Sequence, residues 1–387
     1  MRPYPVSVRQ NPPMPAAELE TIVDPAAFAA LGEEWDALVR AQSRSSPFQL
    51  QGWLVPWWER FGANARLAVE VARRDGRLVA ALPLFEQRRP GLVVGRLLGE
   101  KRAEIADLLL APDEPAETAR ALVDRVRADV LHVFGLPADS LLERALAPEP
   151  VRKIVRAEAP LLRAQPTWEE TAAAAMSGQR KRLQRKRLRQ LEEQGAVELT
   201  VARSLEELEP ALEDAFRLHE LRWGGQPDQS GFVTPEGKEF HRAALRALAP
   251  AGVPRIALLE LDGRTIGFYY YLALGERVCG ADMAYDPEYA RFSPGWLATL
   301  HMLEVAIDDG ARVVEFLGGT EEYKTQMTDE LAPLHEALAR PRTPAARVYV
   351  AAVLGALAAR RRLKESERIR RLYYDGLAPL RRLIASR

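Results

Sequence analysis

The sequence predicts an α/β protein made of two similarly ordered halves and closed by a helical tail. Three observations carry that prediction. The chain has 387 residues, too many for one ordinary domain and suited to two of roughly 150–200 residues. Helical and strand-like periodicities alternate along it. The order helix, strands, helix, strand occurs once before residue 160 and again between residues 178 and 317. The apolar fraction of 47% excludes wholesale disorder.

The elements follow in order. The first dozen residues, with scattered prolines, are expected to be a disordered tail. Asp24 suits a cap and Pro25 a first turn, with Phe28, Leu31, Trp35 and Leu38 at helical spacing. Ser45-Ser46-Pro47 ends that helix. Trp53, Leu54, Trp57, Trp58 and Phe61 form a second one, closed by Gly62. Arg66 to Arg73 and Leu78 to Phe85 are strands joined by an Asp75-Gly76 hairpin turn. Leu92 to Leu98 and Ile105 to Leu110 are further strands, Pro115 to Val130 a helix, and Leu131 to Leu136 a strand. In the second half, an Arg-rich helix from Gly178 to Gln194 precedes a strand from Ala196 to Ala202. Ser204 and Glu207 form a capping box for a helix reaching His219. A helix from Pro235 to Leu248 leads to three strands, Arg255–Leu261, Thr265–Leu274 and Arg277–Tyr285. Pro294 opens a long helix to Asp309, and Arg312 to Leu317 is a buried strand. From Pro344 the tail reads as two helices.

The charges total 54 basic and 54 acidic residues, a net of zero. That total is a cancellation. Gly178 to Gln190 carries seven basic and no acidic residues, and Pro341 to Arg387 carries 12 basic and 3 acidic, which leaves the rest of the chain at −16. The cationic helix docks through a narrow stripe of Leu183, Leu188 and Leu191; its solvated face is either a structural surface or an attractor for an anionic partner. The tail, VYVAAVLGALAARRR from Val348, joins apolar residues to a basic cluster, which suits peripheral contact with an anionic membrane, docking on a partner, or packing on the body. The start has no apolar secretory core and no stretch is long enough to span a bilayer, so the expected location is cytoplasmic, with a membrane-peripheral option through residues 344–387. One cysteine, Cys279, excludes a disulfide framework and a Cys-rich zinc site. The five histidines show no ligand spacing, so no metal is expected. The phosphate-loop, dinucleotide, zincin and nucleophile-elbow motifs are absent.

The stretch from Ala284 to Lys324 carries the most chemistry. A helix N-terminus at Pro294 presents N–H groups and partial positive charge, which suits a phosphate, with Arg291 beside it; Ser293, Pro294 and Gly295 let backbone come close. The plain alternative is an ordinary helix start. After the last strand, Gly318-Gly319 precedes Glu322, Tyr323 and Lys324, where α/β sites usually lie. A carboxylate there takes a proton from an incoming amine or hydroxyl, and Lys324 suits a phosphate or developing oxyanion; the alternative is a solvated charged loop. His219, Arg222 and Trp223 share one helix face, as an acceptor pocket with His219 a base, or as a packed helix end. Asp282 and Tyr285 close a strand facing the same cleft, and Glu315 completes the acceptor set.

Five segments together resemble a known family: SPFQLQGWLVPWWERFG from Ser46, VAALPLF from Val79, RKRLQRKRLRQLEEQG from Arg180, LHELRWG from Leu218, and the run from Tyr285 to Glu330. Over roughly residues 25 to 340 the chain looks like the GNAT-type acyltransferases of the cellulose-biosynthesis acetyltransferase group (CelD/BcsL), akin to FemAB-like enzymes. The resemblance implies tandem GNAT-like domains, residues 20–165 and 166–340, followed by a basic helical tail, 341–387, with the donor in the second domain. It assigns Arg291, Ser293, Pro294 and Gly295 to acyl-CoA, although of the superfamily's usual glycine-rich loop only Gly295 remains. It gives Tyr285 the role of proton donor to the leaving thiolate. It places Lys324 where FemAB-like relatives, which use aminoacyl-tRNA, carry a lysine. The expected activity is N- or O-acyl transfer from acyl-CoA, acetyl-CoA first, to a sugar or small-molecule acceptor in polysaccharide or envelope biosynthesis, with Glu322, Tyr285, His219 and Lys324 catalytic and Arg222, Trp223, Glu315 and Tyr323 on the acceptor. Nucleic acid is not the expected partner. Two alternatives stand beside it, a FemAB-type aminoacyl-tRNA-dependent transferase and a non-catalytic scaffold for polysaccharide assembly at the membrane.

Overall fold

The computed structural model describes residues 16–223, 231–319 and 322–365, with backbone alone for Glu322 and residues 360–365. The expected N-terminal tail and the second tail helix lie outside the described residues. The first half runs β1 (Glu18–Ile22), α1 (Pro25–Ala29), α2 (Gly32–Arg40), α3 (Gln51–Phe61), β2 (Arg66–Leu67), β3 (Val69–Arg74), β4 (Arg77–Leu82), β5 (Leu84–Arg89), β6 (Leu92–Leu97), β7 (Leu109–Leu110), α4 (Ala116–Arg125), β8 (Val130–Leu136), α5 (Leu141–Leu146) and β9 (Val151–Arg163). The second runs α6 (Trp168–Ala175), α7 (Gly178–Glu192), β10 (Val197–Ala202), α8 (Leu205–Trp223), α9 (Pro235–Leu248), β11 (Pro254–Leu261), β12 (Arg264–Leu274), β13 (Arg277–Tyr285), α10 (Pro294–Asp308), β14 (Val313–Glu315), α11 (Glu322–Thr325), β15 (Leu331–Ala339) and α12 (Pro344–Glu365).

Local chemistry sets many of these boundaries. The Asp24 carboxylate accepts the Ala26 and Ala27 N–H groups at the start of α1. Glu207 accepts the Arg203 and Ser204 N–H groups, and the Ser204 hydroxyl accepts that of Glu207, the reciprocal box expected at α8. Asp75-Gly76 and Asp262-Gly263 all take positive φ, which gives the turn twist that two-residue hairpins require. Pro83 divides the expected Leu78–Phe85 strand: β4 joins a four-stranded sheet, β1-β3-β4-β7, while β5 joins an eleven-stranded one.

The large sheet has the order β10-β11-β12-β13-β14-β9-β15-β8-β6-β5-β2. β9 and β15 are not visible in the sequence reading, and they join the halves. β9 lies between β14 and β15, and β15 lies between β9 and β8, all antiparallel. The turn from β9 to α6 falls at the expected domain boundary near residue 165, yet the sheet passes through it unbroken. The core is also shared. α3 packs on α9, with the Trp53 and Phe240 rings edge-to-face at 4.9 Å. Gly52 makes the approach possible, because a Cβ there would lie 2.7 Å from Leu248 Cδ2.

The cationic helix α7 docks through Leu188 and fully buried Leu191 onto Leu259, Leu261, Ile266, Phe292 and Leu297. Leu183, expected in that stripe, is instead 45% exposed. The docked stripe therefore begins at Leu188, and the first turn of α7 is held instead by Arg180, which donates to the Gln326 carbonyl at 2.9 Å.

Candidate functional site

Each half contains a parallel strand pair joined by a crossover helix: β6 and β8 through α4, β13 and β14 through α10. In the second half the pair diverges. Arg277–Cys279 pairs with Val313–Glu315 and no further. β13 runs on to Tyr285, while the next N–H after β14, that of Phe316, goes to the Pro160 carbonyl of β9. A register shift against β12, with Tyr270 opposite Asp282 and Tyr271 opposite Gly280, leaves Ala281 as an extra residue where the strands part. A cleft of this kind exposes backbone at strand ends, and both candidate clusters sit on it.

One lip holds the Tyr285 cluster. The Arg222 guanidinium lies 4.2 Å from the Tyr285 ring centre and 4.8 Å from that of Trp223. His219 is buried, with Nε2 3.8 Å from Asp282 Oδ2 and its ring 5.3 Å from Phe232. The structure therefore brings together His219, Arg222, Trp223, Asp282 and Tyr285. The start of α10 packs directly on them: a Cβ on Gly295 would lie 2.7 Å from Met283 Sδ and 2.9 Å from Tyr285 Cδ1. Gly267 in β12 leaves room for the Pro294 backbone in the same way, at 3.0 Å. Ser293 takes φ +56, and its carbonyl accepts the Trp296 and Leu297 N–H groups. Pro294 has no N–H, so Gly295, itself buried, carries the first N–H of the helix, with Arg291 exposed alongside. One donor is fewer than a glycine-rich loop supplies, and the exposed cations of α7 adjoin this turn through the Leu191–Phe292 contact.

The other lip holds Lys324. Its ammonium is buried and donates to the Gly318 carbonyl at 2.8 Å and the Leu317 carbonyl at 3.4 Å. Tyr323 is half-buried, with its ring 5.8 Å from Lys324 Nζ. Glu322 begins α11, and its side chain lies outside the described residues.

Facing Lys324 is a residue that sequence reasoning missed. Glu104, on the first-half loop between β6 and β7, brings Oε2 to within 3.3 Å of where a Gly318 Cβ would be. The residue is partly exposed, yet the protein around its carboxylate desolvates it and raises its pKa, against the pull of Lys324, the Gly318 N–H and Arg156. The loop that carries it is fixed from both sides. The buried Asp107 carboxylate accepts the Leu108, Leu141 and Leu142 N–H groups and the Ser140 hydroxyl, locking the loop to the start of α5. Gly135, at φ +78, leaves space for the Glu104 carbonyl, which a Cβ would approach to 2.6 Å. Beside this loop a cavity of about 410 Å³ is walled by Trp57, Phe61 and Phe85 and rimmed by Arg89, Arg96, Lys101 and Arg102, with Glu100 paired to Arg96 at 2.6 Å.

Glu315 needs correction as an acceptor contact. It is fully buried and holds Arg277 at 2.5 Å and Arg44 at 2.7 Å, so its two oxygens clamp the halves together and face no substrate. Among the described residues, no cluster of three or more His, Cys, Asp or Glu could hold a metal ion.

Residues 177–325 match the acetyltransferase (GNAT) domain family. No protein of curated function matches the chain. Among solved structures, FemX is 13% identical over 84% of this chain and 97% of its own, with TM-score 0.57. A conserved protein of unknown function from Bacteroides thetaiotaomicron is 12% identical over 84% and 100%, with TM-score 0.52. L-PGS from Bacillus licheniformis is 11% identical over 82% and 95%, with TM-score 0.50. Identities this low speak for the fold alone. The chain is a mixed α/β protein whose halves each carry a parallel strand pair with a crossover helix, followed by a C-terminal helix, and residues 177–325 match the acetyltransferase (GNAT) domain.

Proposed function

We propose that this protein transfers an acyl group from acyl-CoA, acetyl-CoA first, to an amine or hydroxyl held between its two halves. The observation that carries the reading is the convergence of Glu104 and Lys324 on the Gly318 peptide at the mouth of the diverging strands. Acyl transfer needs a base for the nucleophile and a positive group where charge develops on the acyl oxygen. Glu104 takes the proton and Lys324 stabilises the oxyanion. Tyr285, fixed under Arg222, returns a proton to the leaving thiolate. Gly295, with Ser293, Pro294 and Arg291, receives the donor's pyrophosphate, and the cations of α7 add long-range attraction. The aromatic cavity beside Glu104, where Glu100 neutralises Arg96 and leaves Arg89, Lys101 and Arg102 in excess, suits an acceptor with an apolar face and a negative charge, such as an acidic sugar of a polysaccharide or envelope precursor. His219, Trp223 and Tyr323 line the remaining walls.

Titration calorimetry with acetyl-CoA and palmitoyl-CoA tests the donor assignment. The expected result is saturable binding to one of them, weakened by Arg291→Ala. Heat from neither, with the protein still folded, rejects it.

A second reading has a specific observation in its favour. Arg182, Arg185, Lys186 and Arg189 are exposed on α7 beside the donor turn, which also suits an aminoacyl-tRNA donor. A gel shift with aminoacylated tRNA at low salt decides: retardation abolished by reversing these four charges supports this reading, and unretarded tRNA removes it.

A further inference from the structure

The tail helix α12 is fixed at its base and uncovered beyond it. Ala346 is fully buried, and Tyr349 and Val350 pack with it on Leu92, Val94 and Val130 of the first half. The Tyr349 hydroxyl meets His132 Nδ1 at 2.7 Å and Arg96 Nη2 at 3.4 Å, and Arg342 donates to the Val126 carbonyl at 2.6 Å. These contacts hold the first turns rigidly. From Val348 to Ala359 the helix then shows twelve residues whose only polar side-chain atom is that Tyr349 hydroxyl. Val348 is 69% exposed, Ala351, Ala352, Gly355, Ala356, Ala358 and Ala359 are exposed, and Val353, Leu354 and Leu357 are half-exposed.

A water-facing helix normally pairs one apolar stripe with a polar face. This one has no polar face until Arg360, Arg361, Arg362 and Lys364, and residues 360–387 carry 10 basic and 3 acidic residues. Twelve residues rise about 18 Å along a helix axis, well short of a bilayer's hydrocarbon core. No described helix is long and apolar enough to cross a membrane. A protein partner would cover one stripe and match charges of both signs. An apolar segment without a polar face, flanked by strongly net-positive charge, is what an anionic lipid surface accommodates, with the apolar side chains in the acyl boundary and the basic residues among the headgroups.

We propose that α12 is an interfacial anchor that lays the first-half face of this protein on a bilayer containing anionic lipid. This is independent of the acyl-transfer reading, since none of its residues belongs to that site.

Flotation of the full-length chain with vesicles tests it. The chain should float with vesicles of phosphatidylcholine and phosphatidylglycerol, and about tenfold less with phosphatidylcholine alone. Val348→Asp with Ala352→Asp should cut flotation on the mixed vesicles about tenfold, while leaving the thermal melt unchanged because both positions are exposed. Arg360→Gln, Arg361→Gln and Arg362→Gln together should erase the preference for anionic lipid. Failure of the unmodified chain to float on the mixed vesicles overturns the proposal. So does flotation that the two aspartates leave intact, or a dimer in solution that they dissolve without any vesicle binding, which would give the face to a second copy.

Discussion

The two halves carry the same strand-helix-strand crossover and use its connection differently. In the first half, the path from β6 to α4 is a long loop that carries Lys101, Arg102, Glu104 and Asp107 and is tied down by the start of α5. In the second, the path from β13 to α10 is a short 3₁₀ turn, Pro287–Phe292, that delivers a glycine-containing helix start against Tyr285. One half has lengthened the connection to hold ionisable side chains. The other has kept it tight so that backbone approaches the cleft. Under the acyl-transfer reading proposed above, the first half offers a carboxylate from a long connection, and the second offers a backbone turn from a short one beside the side chains of Lys324 and Tyr285.

The division can be broken at several points. The largest effect is expected at the clamp between the halves. Glu315→Ala leaves Arg44 and Arg277 buried without their carboxylate and should cost about 3–5 kcal/mol in denaturant unfolding; a loss under 1 kcal/mol would mean that the halves hold together without it. Next is Lys324→Met, which should lower kcat about 10²–10³-fold with the fold intact. An unchanged kcat there would leave the second lip without a catalytic role.

Glu104→Gln should lower kcat/KM about 10²-fold at neutral pH and reshape its pH dependence. Because desolvation by the surrounding protein raises the Glu104 carboxyl, its basic form appears only above the ordinary glutamate range, so the acid limb of kcat/KM should lie higher than a fully solvated glutamate gives. The variant should lose that limb. Stability carries the matching sign: a raised folded-state pKa favours folding below the unfolded value, and that contribution fades as pH rises through the folded value. Glu104→Gln should therefore gain stability over the parent at high pH but not at low pH. The smallest effect is Gly295→Ala, whose methyl meets Met283 and Tyr285; donor KM should rise several-fold with little change in kcat. An unchanged KM would separate this turn from donor binding.

Where one short segment decides the conformation, the sequence was legible. The Asp-Gly hairpins, the Ser204–Glu207 box, the Pro294 start and the α7 helix rest on neighbouring residues, and all are present. The Tyr285 cluster was legible because α8 and β13 each carry several of its members. β9 and β15 were not. Arg152, Lys153, Arg156 and Glu158 interrupt the apolar pattern of β9, and Pro333 sits inside β15; both are strands because partners far along the chain pair with them. Glu104 was hidden for the same reason. Nothing near it marks a carboxylate beside a hydrophobic run as functional, and its significance lies in Lys324, more than half the chain away. Glu315 misled in the opposite direction, since a carboxylate at a strand end looks catalytic until its two arginines are seen.

The interleaving of β9 and β15 bears on how the protein is made. β9 leaves the ribosome with no partner for either edge, because both its neighbours, β14 and β15, come from the end of the second half. At ordinary translation rates that wait is on the order of ten to thirty seconds. Throughout it the nascent first half displays an open thirteen-residue strand, the kind of edge that recruits a wrong partner. The arginines, lysine and glutamate that obscured β9 in the sequence are the residues that keep such an edge soluble until its own partners arrive.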